Sequence, residues 1–509
     1  MDIKKILSIA LIGGLTQHAF AQYTEDAFNF SRTETSTTAR FSALGGQQTS
    51  MGGDLSSIYG NPAGLGMFSR SEFGFSIGLN SYKNNHTFLG NTGTDNVFNP
   101  TINNIGIVLH SPVSKYSGDT KKGLVAVSYG IGYQKNNYFK NELNLAGRTD
   151  NNGLSDFFAD QANLDGAIDP TKLGSETIFG AYHGFLIDRS GNSYVPNTYT
   201  DSDQSINVMR KGGQSNIDLS FGLNFSNQVY IGAGLGIASV NYKSRETLLD
   251  NGDFLYDIDN PITPAPPAGQ PQYPEFNPRR SYNANFYRNY DTEGAGVNFK
   301  LGAIIKPVDE FRIGFSFESP TYYDLTDNYY ESLSYVSPYN ERIYREENFP
   351  MTYNLRTPLK LNGGISYIIG NKGFLSADIN YSDYSTAKFS SNLKGTDRNV
   401  NDGIQQSYKD VVNFGVGGEF KVSNEFAVRA GYRYLADPYN TKISNNDNAI
   451  NRYSGGFGYK VGTYSIDAAV MVYDSKDGYN NYTLSTGDQP YADISKTTTR
   501  FSITFGARF

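Results

Sequence analysis

Period-two alternation governs this chain from Glu72 to its last residue. Near the C-terminus Phe501, Ile503, Phe505, Ala507 and Phe509 alternate with Arg500, Ser502, Thr504, Gly506 and Arg508. Successive side chains of a strand point to opposite faces, so such a ribbon has one greasy and one wet side. Fourteen segments read this way, beginning with Glu72–Tyr82, Thr101–Val113 and Gly123–Gln134 and ending with Thr463–Tyr473 and Thr498–Phe509. Their connections alternate too. Short turns follow the even-numbered segments, as at Ser114–Lys122, Asn227, Pro307–Asp309, Asn371–Lys372 and Val461–Gly462. Longer links follow the odd-numbered ones, including Lys135–Gly213, Glu246–Asn285, Asp324–Thr352 and Asp474–Thr497. A membrane barrel needs short turns at one rim and long loops at the other. A soluble sandwich has no physical reason to sort its loops by parity. The expected fold is therefore all-β, a 14-stranded antiparallel transmembrane β-barrel.

The totals agree with that reading. A mean hydropathy of −0.47 argues against a bundle of membrane helices but suits a barrel wall, where only alternate side chains meet lipid. The sequence has no cysteine, which removes disulfides, zinc–thiolate sites and thiol nucleophiles. A net charge of −7 gives no basic footprint, so no nucleic-acid partner is expected. An outward Arg or Lys at mid-bilayer would cost roughly 2–4 kcal/mol. Lys300, Arg312, Arg429, Arg433 and Arg500 are therefore expected in the lumen. Glu318, Asp378, Glu419 and Asp467 share their parity and are expected to pair with them. Tyr82, Tyr432, Tyr434 and Tyr473 lie near strand ends and are expected to form the interface girdles.

The first residues read as a secretory signal: Lys4 and Lys5, the apolar run Ile6–Leu15, then the small-residue site Ala19-Phe20-Ala21. The expected division is a signal peptide over 1–21, an N-terminal unit over 22–71 and a barrel over 72–509. The first part of the Phe41–Ser76 stretch is rich in glycine and serine, too irregular for a long helix, and suggests a compact, folded-back segment that runs into the first strand. Its GGQQTSMGG run lacks the Lys-Ser/Thr of a phosphate loop. Two long links stand out. One carries a helical apolar stripe, Leu154, Phe157, Phe158, Ala162 and Leu164, followed by an apolar run containing Phe179 and Phe185. The other holds the proline-rich Pro261–Pro278, expected to be extended. His86, His110 and His183 lie far apart with no paired-histidine motif, so neither a metal nor a cofactor is expected, nor an enzyme.

The segment Asn61-Pro62-Ala63-Gly64-Leu65, just before the first strand, resembles the N-terminal hatch of the FadL/OmpP1/TodX family. FRIGFSFESP (Phe311–Pro320), SADINYSDYS (Ser376–Ser385) and FAVRAGYRYLADP (Phe426–Pro438) are similar to that family's recurrent segments, in the family's order. The resemblance implies a bacterial outer-membrane barrel with a plug inside it, admitting hydrophobic molecules such as long-chain fatty acids. It implies that Asn61, Pro62 and Ala63 belong to the gate, and that both termini are periplasmic. Family members catch their ligands with extracellular loops, which makes Phe157, Phe158, Leu164 and Phe179 the candidate substrate contacts. Outer-membrane lipid and lipopolysaccharide, a hydrophobic small molecule, and barrel-assembly machinery acting on the C-terminal strand are the expected partners. Two alternatives stay open: a haem receptor using His86 or His183, and a structural or adhesive barrel.

Overall fold

The computed structural model describes residues 16–32, 37–46, 48–113, 122–255, 280–440 and 448–509. The apolar run of the signal segment, the turn at 114–121 and the proline-rich stretch lie outside the described residues. Fourteen strands form one antiparallel sheet. They are β1 (Glu72–Phe88), β2 (Asn91–Pro112), β3 (Leu124–Tyr138 continued by Asn141–Thr149), β4 (Ser202–Phe225), β5 (Val229–Asp253), β6 (Ser281–Ile305) and β7 (Phe311–Glu318 and Tyr322–Val336). The rest are β8 (Arg342–Arg356 and Lys360–Ile369), β9 (Gly373–Asp383 and Lys388–Ser391), β10 (Asp410–Lys421), β11 (Phe426–Leu435), β12 (Ile450–Val461), β13 (Tyr464–Asn480) and β14 (Tyr491–Arg508). β14 returns to β1 in register from Glu72↔Arg508 to Phe88↔Ala492, which closes the barrel.

The alternation does what the sequence promised. Outward residues form an apolar belt: Phe73, Phe75, Ile77 and Leu79 on β1, Phe299 and Leu301 on β6, Phe501 and Ile503 on β14 are all exposed. Inward positions between them, such as Ser76, Asn80, Asn104 and Thr504, are polar and buried. No helix among the described residues is long and apolar enough to cross a membrane.

Two expectations need correction. Several long links are strand rather than loop. β1 and β2 meet in a tight turn at Leu89 (φ 46°) and Gly90 (φ 81°), left-handed at both central positions as such hairpins require. β7 and β8 are joined by Ser337–Glu341 alone. Beyond the belt the alternation continues with polar residues on the outer face, so its apolar signal fades while the strand does not. The second correction concerns the girdles. Tyr82 and Tyr473 are buried and point inward, whereas exposed tyrosines such as Tyr129, Tyr322, Tyr367, Tyr453 and Tyr464 mark the outer surface.

Three neighbouring strands break at one level. β7 is interrupted at 319–321, β8 at 357–359 and β9 at a 3-10 turn, Tyr384–Thr386. Pro320 and Pro358 cannot donate to a ladder. The donors around them find partners locally: Ser319 N to Phe299 O (2.9 Å), Thr321 N to Thr357 Oγ1 (2.9 Å) and Thr357 N to Thr321 O (3.0 Å).

The lumen is filled by the chain's beginning. Helix α1 (Thr16–Ser31) lies inside, with Tyr23, Ala27, Phe28 and Phe30 packed on Tyr242, Tyr323, Tyr353 and Phe389 of the wall. The short helix α2 (Ala39–Ala43) and two 3-10 turns, Leu55–Ile58 and Pro62–Met67, follow and lead into β1. At the long-loop end, α3 (Leu154–Asp165), α4 (Glu176–His183) and a small hairpin (Ile187–Ser190 with Ser193–Pro196) form a lid over the barrel mouth. Helix α5 (Lys394–Ser407) covers α1 through Val400 and Ile404.

Candidate functional site

The plug is built from short, self-capped turns. Thr38 Oγ1 donates to Asp54 Oδ1 (2.9 Å), and the same oxygen accepts from Ser56 N (2.9 Å), starting the first 3-10 turn. Asn61 starts the second. Its Oδ1 accepts from Ala63 N (3.1 Å), and Pro62 supplies a fixed φ at the first position, where no donor is needed. Asn61 Nδ2 donates to Thr49 O (2.7 Å), with Ala303 O and Phe315 O of the wall at 3.4 and 3.3 Å. Asn61, Pro62 and Ala63 are thus buried between the plug's own backbone and strands β6 and β7.

That approach works because the facing wall is glycine. A Cβ at Gly302 would strike Asn61 Oδ1, and one at Gly232 would strike the Pro62 carbonyl. Gly222 lies against Gly66 N, Gly314 against Thr49 O, Gly431 against the Leu44 carbonyl and Gly132 against the Tyr59 hydroxyl. Gly66 in turn meets Leu223 O, so small residues on both sides let backbone touch backbone.

Charges tie plug to wall at the same level. Glu419 accepts from Arg40 Nε (2.9 Å) on α2 and from Arg429 Nε (2.7 Å), whose Nη1 reaches Asp467 (2.6 Å). Asp378 accepts from Thr49 N (2.6 Å). Arg312 Nη1 lies 3.9 and 3.8 Å from the Met51 and Met67 sulfurs. Lys300 pairs with Asp218 (2.5 Å) and Glu318 with Lys360 (3.0 Å), both wall to wall. Arg433 lies beside Gly46 and Gly415. Of the nine lumen charges expected from the sequence, Arg312, Asp378, Glu419 and Arg433 therefore touch the plug, while Asp467 pairs with Arg429 and Arg500 lies over the Tyr138 and Tyr473 rings. Lys300, Glu318 and Arg429 brace the wall.

One part of the wall is unlike the rest. The β2–β3 ladder runs from Pro112↔Ala126 to Asn104↔Gln134 and stops. Above it β2 stays paired only with β1, and β3 only with β4. The seam is bridged by side chains instead: Lys140 Nζ to Phe98 O (2.7 Å), and Asn144 N and Nδ2 to the Asp95 carboxylate (2.9 and 2.8 Å). At its foot stands the plug residue Tyr59, its hydroxyl 3.0 Å from Ile105 O and 3.1 Å from Tyr133 O. Tyr59, Arg40 and the lumenal helix α1 escaped the sequence reading. Nothing near Tyr59 in the chain marks it; only the fold brings the seam to it.

The loop residues expected to meet substrate lie in the lid. Phe157 and Phe158 are buried in its core against Phe286 and Tyr482, and do not line an open groove. An apolar helix stripe buries against the nearest apolar surface, here the inner faces of the extended strands. Leu164 and Phe179 are half-buried, Phe179 between His183 and the Arg345 guanidinium. Carboxylates hold the helices down. Leu154 N at the start of α3 donates to Asp250 (3.0 Å), and Thr177 N at the start of α4 donates to Glu347 (2.9 Å). Burial pushes the Asp156 carboxyl up, against the opposing hydrogen bond from Gly153 N. His86 is buried with Nε2 3.3 Å from Asp95, whereas His183 is exposed. His110 Nδ1 lies 3.2 Å from Ser128 Oγ.

A closed barrel with an apolar belt, a charge-compensated lumen and an internal stopper defines a plugged outer-membrane barrel. The chain belongs to the family described as "Outer membrane protein transport protein (OMPP1/FadL/TodX)", whose profile matches residues 192–509, more than half of its length. Among solved structures it is similar to a Pseudomonas aeruginosa FadL homologue at 13% identity and a TM-score of 0.54, over 93% of this chain and 98% of that one. It is also similar to the P. putida toluene transporter TodX at 13% identity and a TM-score of 0.52, over 94% of this chain and 99% of that one. At such identity the likeness speaks for the fold. No curated protein matches the sequence. Members of this family are transport proteins, so the chain is an integral outer-membrane transport barrel and not an enzyme.

Proposed function

We propose that the barrel admits hydrophobic small molecules, long-chain fatty acids among them, by passive diffusion, and that the N-terminal plug is its gate. A ligand crossing a water-filled lumen would expose apolar area at roughly 25 cal/mol per Å². A side exit near the plug shortens that path. The observation that carries the reading is Tyr59, a plug residue hydrogen-bonded to both strands where their ladder ends. Movement of the plug acts directly on the seam between β2 and β3.

In this reading residues 1–21 are a removed signal peptide, 22–71 the hatch and 72–509 the barrel. The short-turn end faces the periplasm together with both termini, and the lid faces outward, its Phe179 and Leu164 meeting arriving ligand first. The terminal Phe509 closes the strand that assembly machinery engages. The toluene transporter's likeness makes a monoaromatic hydrocarbon the second ligand to assay.

The chain has no cysteine, so a disulfide lock is clean. Ala63 and Ile304 pack in one cluster between plug and wall. Oxidation of an Ala63→Cys, Ile304→Cys pair is expected to abolish uptake of labelled oleate by proteoliposomes, and reduction to restore it. Full uptake in the verified crosslinked state would end the gating proposal.

A further inference from the structure

We propose that the outer face of β3, β4 and β5 carries a phosphate-binding site, and that its occupant is the phosphorylated glycolipid of the outer leaflet, lipopolysaccharide. The occupant follows from the orientation proposed above, lid outward, and not from the transport route. On these strands the apolar belt ends at Ile217 and Ile237, which are exposed and in register. Ser215 and Ser239 follow on the same face, then Gly213 and Asn241, then Lys211 and Lys243. A rise of roughly 3.4 Å per residue on strands tilted by about 40° puts the two lysines roughly 15 Å above the last apolar row. Lys135 pairs with Ser215 from the other side, and its stem runs upward over Gly213. A Cβ on that glycine would stand 2.5 Å from Lys135 Cε and 2.7 Å from Nζ. A lysine rooted at the belt's edge thus carries its ammonium away from the lipid, as side chains at a membrane interface do.

Lys135, Lys211 and Lys243 therefore share one outer patch, with Arg245 one pleat higher opposite Met209 and Asn289. Lys211 and Lys243 are exposed and stand directly opposite each other. Like charges in that position, with Cβ atoms about 5 Å apart, weaken a ladder. A carboxylate would relieve them, and carboxylates are near. Asp291 is in register with Lys243 on β6, and Glu142 with Met209 on β3. Yet among the described residues no ion pair reaches Lys135, Lys211, Lys243 or Arg245. The lumen treats its cations differently: Lys300, Lys360, Arg40 and Arg429 each hold a carboxylate within 3.0 Å. On the β6 side Asp291 and Glu293 bound the patch, so it is a local site and not part of a uniform basic ring. Below it lie the exposed Ile131, Ile217, Leu219 and Ile237 of the belt. Acyl chains on that belt would set a glycolipid's sugar-borne phosphates against the three ammonium groups. Lysine binds phosphate as a point charge on a flexible stem, and one lysine near an anionic membrane surface strengthens binding about fivefold.

The test uses the purified full-length protein in a nonionic detergent, titrated against fluorescent rough lipopolysaccharide and read by anisotropy. Lys211→Ser combined with Lys243→Ser is expected to weaken binding about 25-fold, and Lys135→Ser to add about fivefold. Lys372→Ser, at an exposed turn of the opposite rim, is expected to change nothing. Lipopolysaccharide stripped of its phosphates with hydrofluoric acid should bind the wild type as weakly as the intact glycolipid binds the double variant. Equal affinity for intact and stripped glycolipid, or an unchanged affinity in a double variant that keeps the wild-type heat-modifiable gel shift, overturns the proposal. Phosphatidylglycerol bound as tightly as lipopolysaccharide and lost in the same variant, or inorganic phosphate displacing the glycolipid at equal concentration, overturns the choice of occupant. Orientation is read apart from binding, by maleimide labelling of intact cells that carry Asn192→Cys, an exposed position between the two strands of the lid hairpin. Labelling from outside supports the glycolipid. Labelling only after lysis would turn the patch to the inner leaflet and overturn it, whereas lost oleate uptake would leave it standing.

Discussion

The plug and the lid are held against the barrel by opposite means. The lid is one large apolar cluster in which Phe157, Phe158, Phe286, Leu248 and Tyr482 share a core. Past α1, the plug has no such core. Its apolar residues are split into small groups, Leu55, Ile58, Tyr59 and Leu65 in one and Phe41, Leu44 and Met51 in another. What holds it is close backbone approach to a glycine wall, with Asn61, Arg40 and Thr49 as polar ties. Burying a large side chain contributes about 1.5–3 kcal/mol wherever it settles. Contact between backbones is short-ranged and is forfeited over a fraction of an ångström. The lid should therefore fail when atoms are removed from it, and the plug when atoms are added beside it.

The larger effect belongs to the lid. Phe158→Ala empties a fully buried position and is expected to destabilise α3 and α4 by about 3–5 kcal/mol. Hydrogen exchange should show both lid helices opening together while the plug keeps its protection. Plug amides that lose protection in the same step would mean that the two closures are one cooperative unit. The mirror experiment is Gly232→Val. Its Cβ meets the Pro62 carbonyl and Ala63 N, which are backbone and cannot swing aside. Overpacking of this kind costs about 1–3 kcal/mol. The expected readout is an increased single-channel conductance in planar bilayers, with lid exchange unchanged and the barrel still heat-modifiable. A variant with wild-type conductance would show that the wall yields and that the glycines do not set the fit.

The sequence foretold the two regions unequally, for the same reason. Strand order, closure and the lumenal charges follow from local alternation, which each segment carries within itself. Tyr82 and Tyr473 were misassigned because nearness to a strand end was given more weight than parity; counting by twos from Phe73 and Leu79, or from Val470 and Val472, already puts both tyrosines inside. The stripe on Leu154–Asp165 announced a helix, but not what it buries against, since Phe286 and Tyr482 lie more than a hundred residues further on. The glycines were visible as residues that weaken a strand. Their purpose was not, because it appears only when Gly222, Gly232 and Gly302 from three strands face one turn of the plug. By themselves Asn61 and Pro62 read as a turn start, and only the family resemblance put them in the plug.

The smallest change addresses the point where plug and wall meet without either device. Tyr59 keeps its ring among Leu55, Ile58 and Leu65, and only its hydroxyl reaches the carbonyls of Ile105 and Tyr133. Tyr59→Phe removes a single donor and fills the same volume, so the cost to the closed plug is about 0.5–1.5 kcal/mol. That is too little to unseat it, since Asn61, Arg40 and the glycine contacts remain. If the seam is the exit, the closed state loses a tie that the open state never had. The population of open barrels then rises, by roughly 2- to 10-fold for that range of energies. Oleate uptake should increase by a similar factor, with conductance far below that of Gly232→Val. Unchanged uptake would separate the plug from the seam, and would leave the route of exit along the lumen itself.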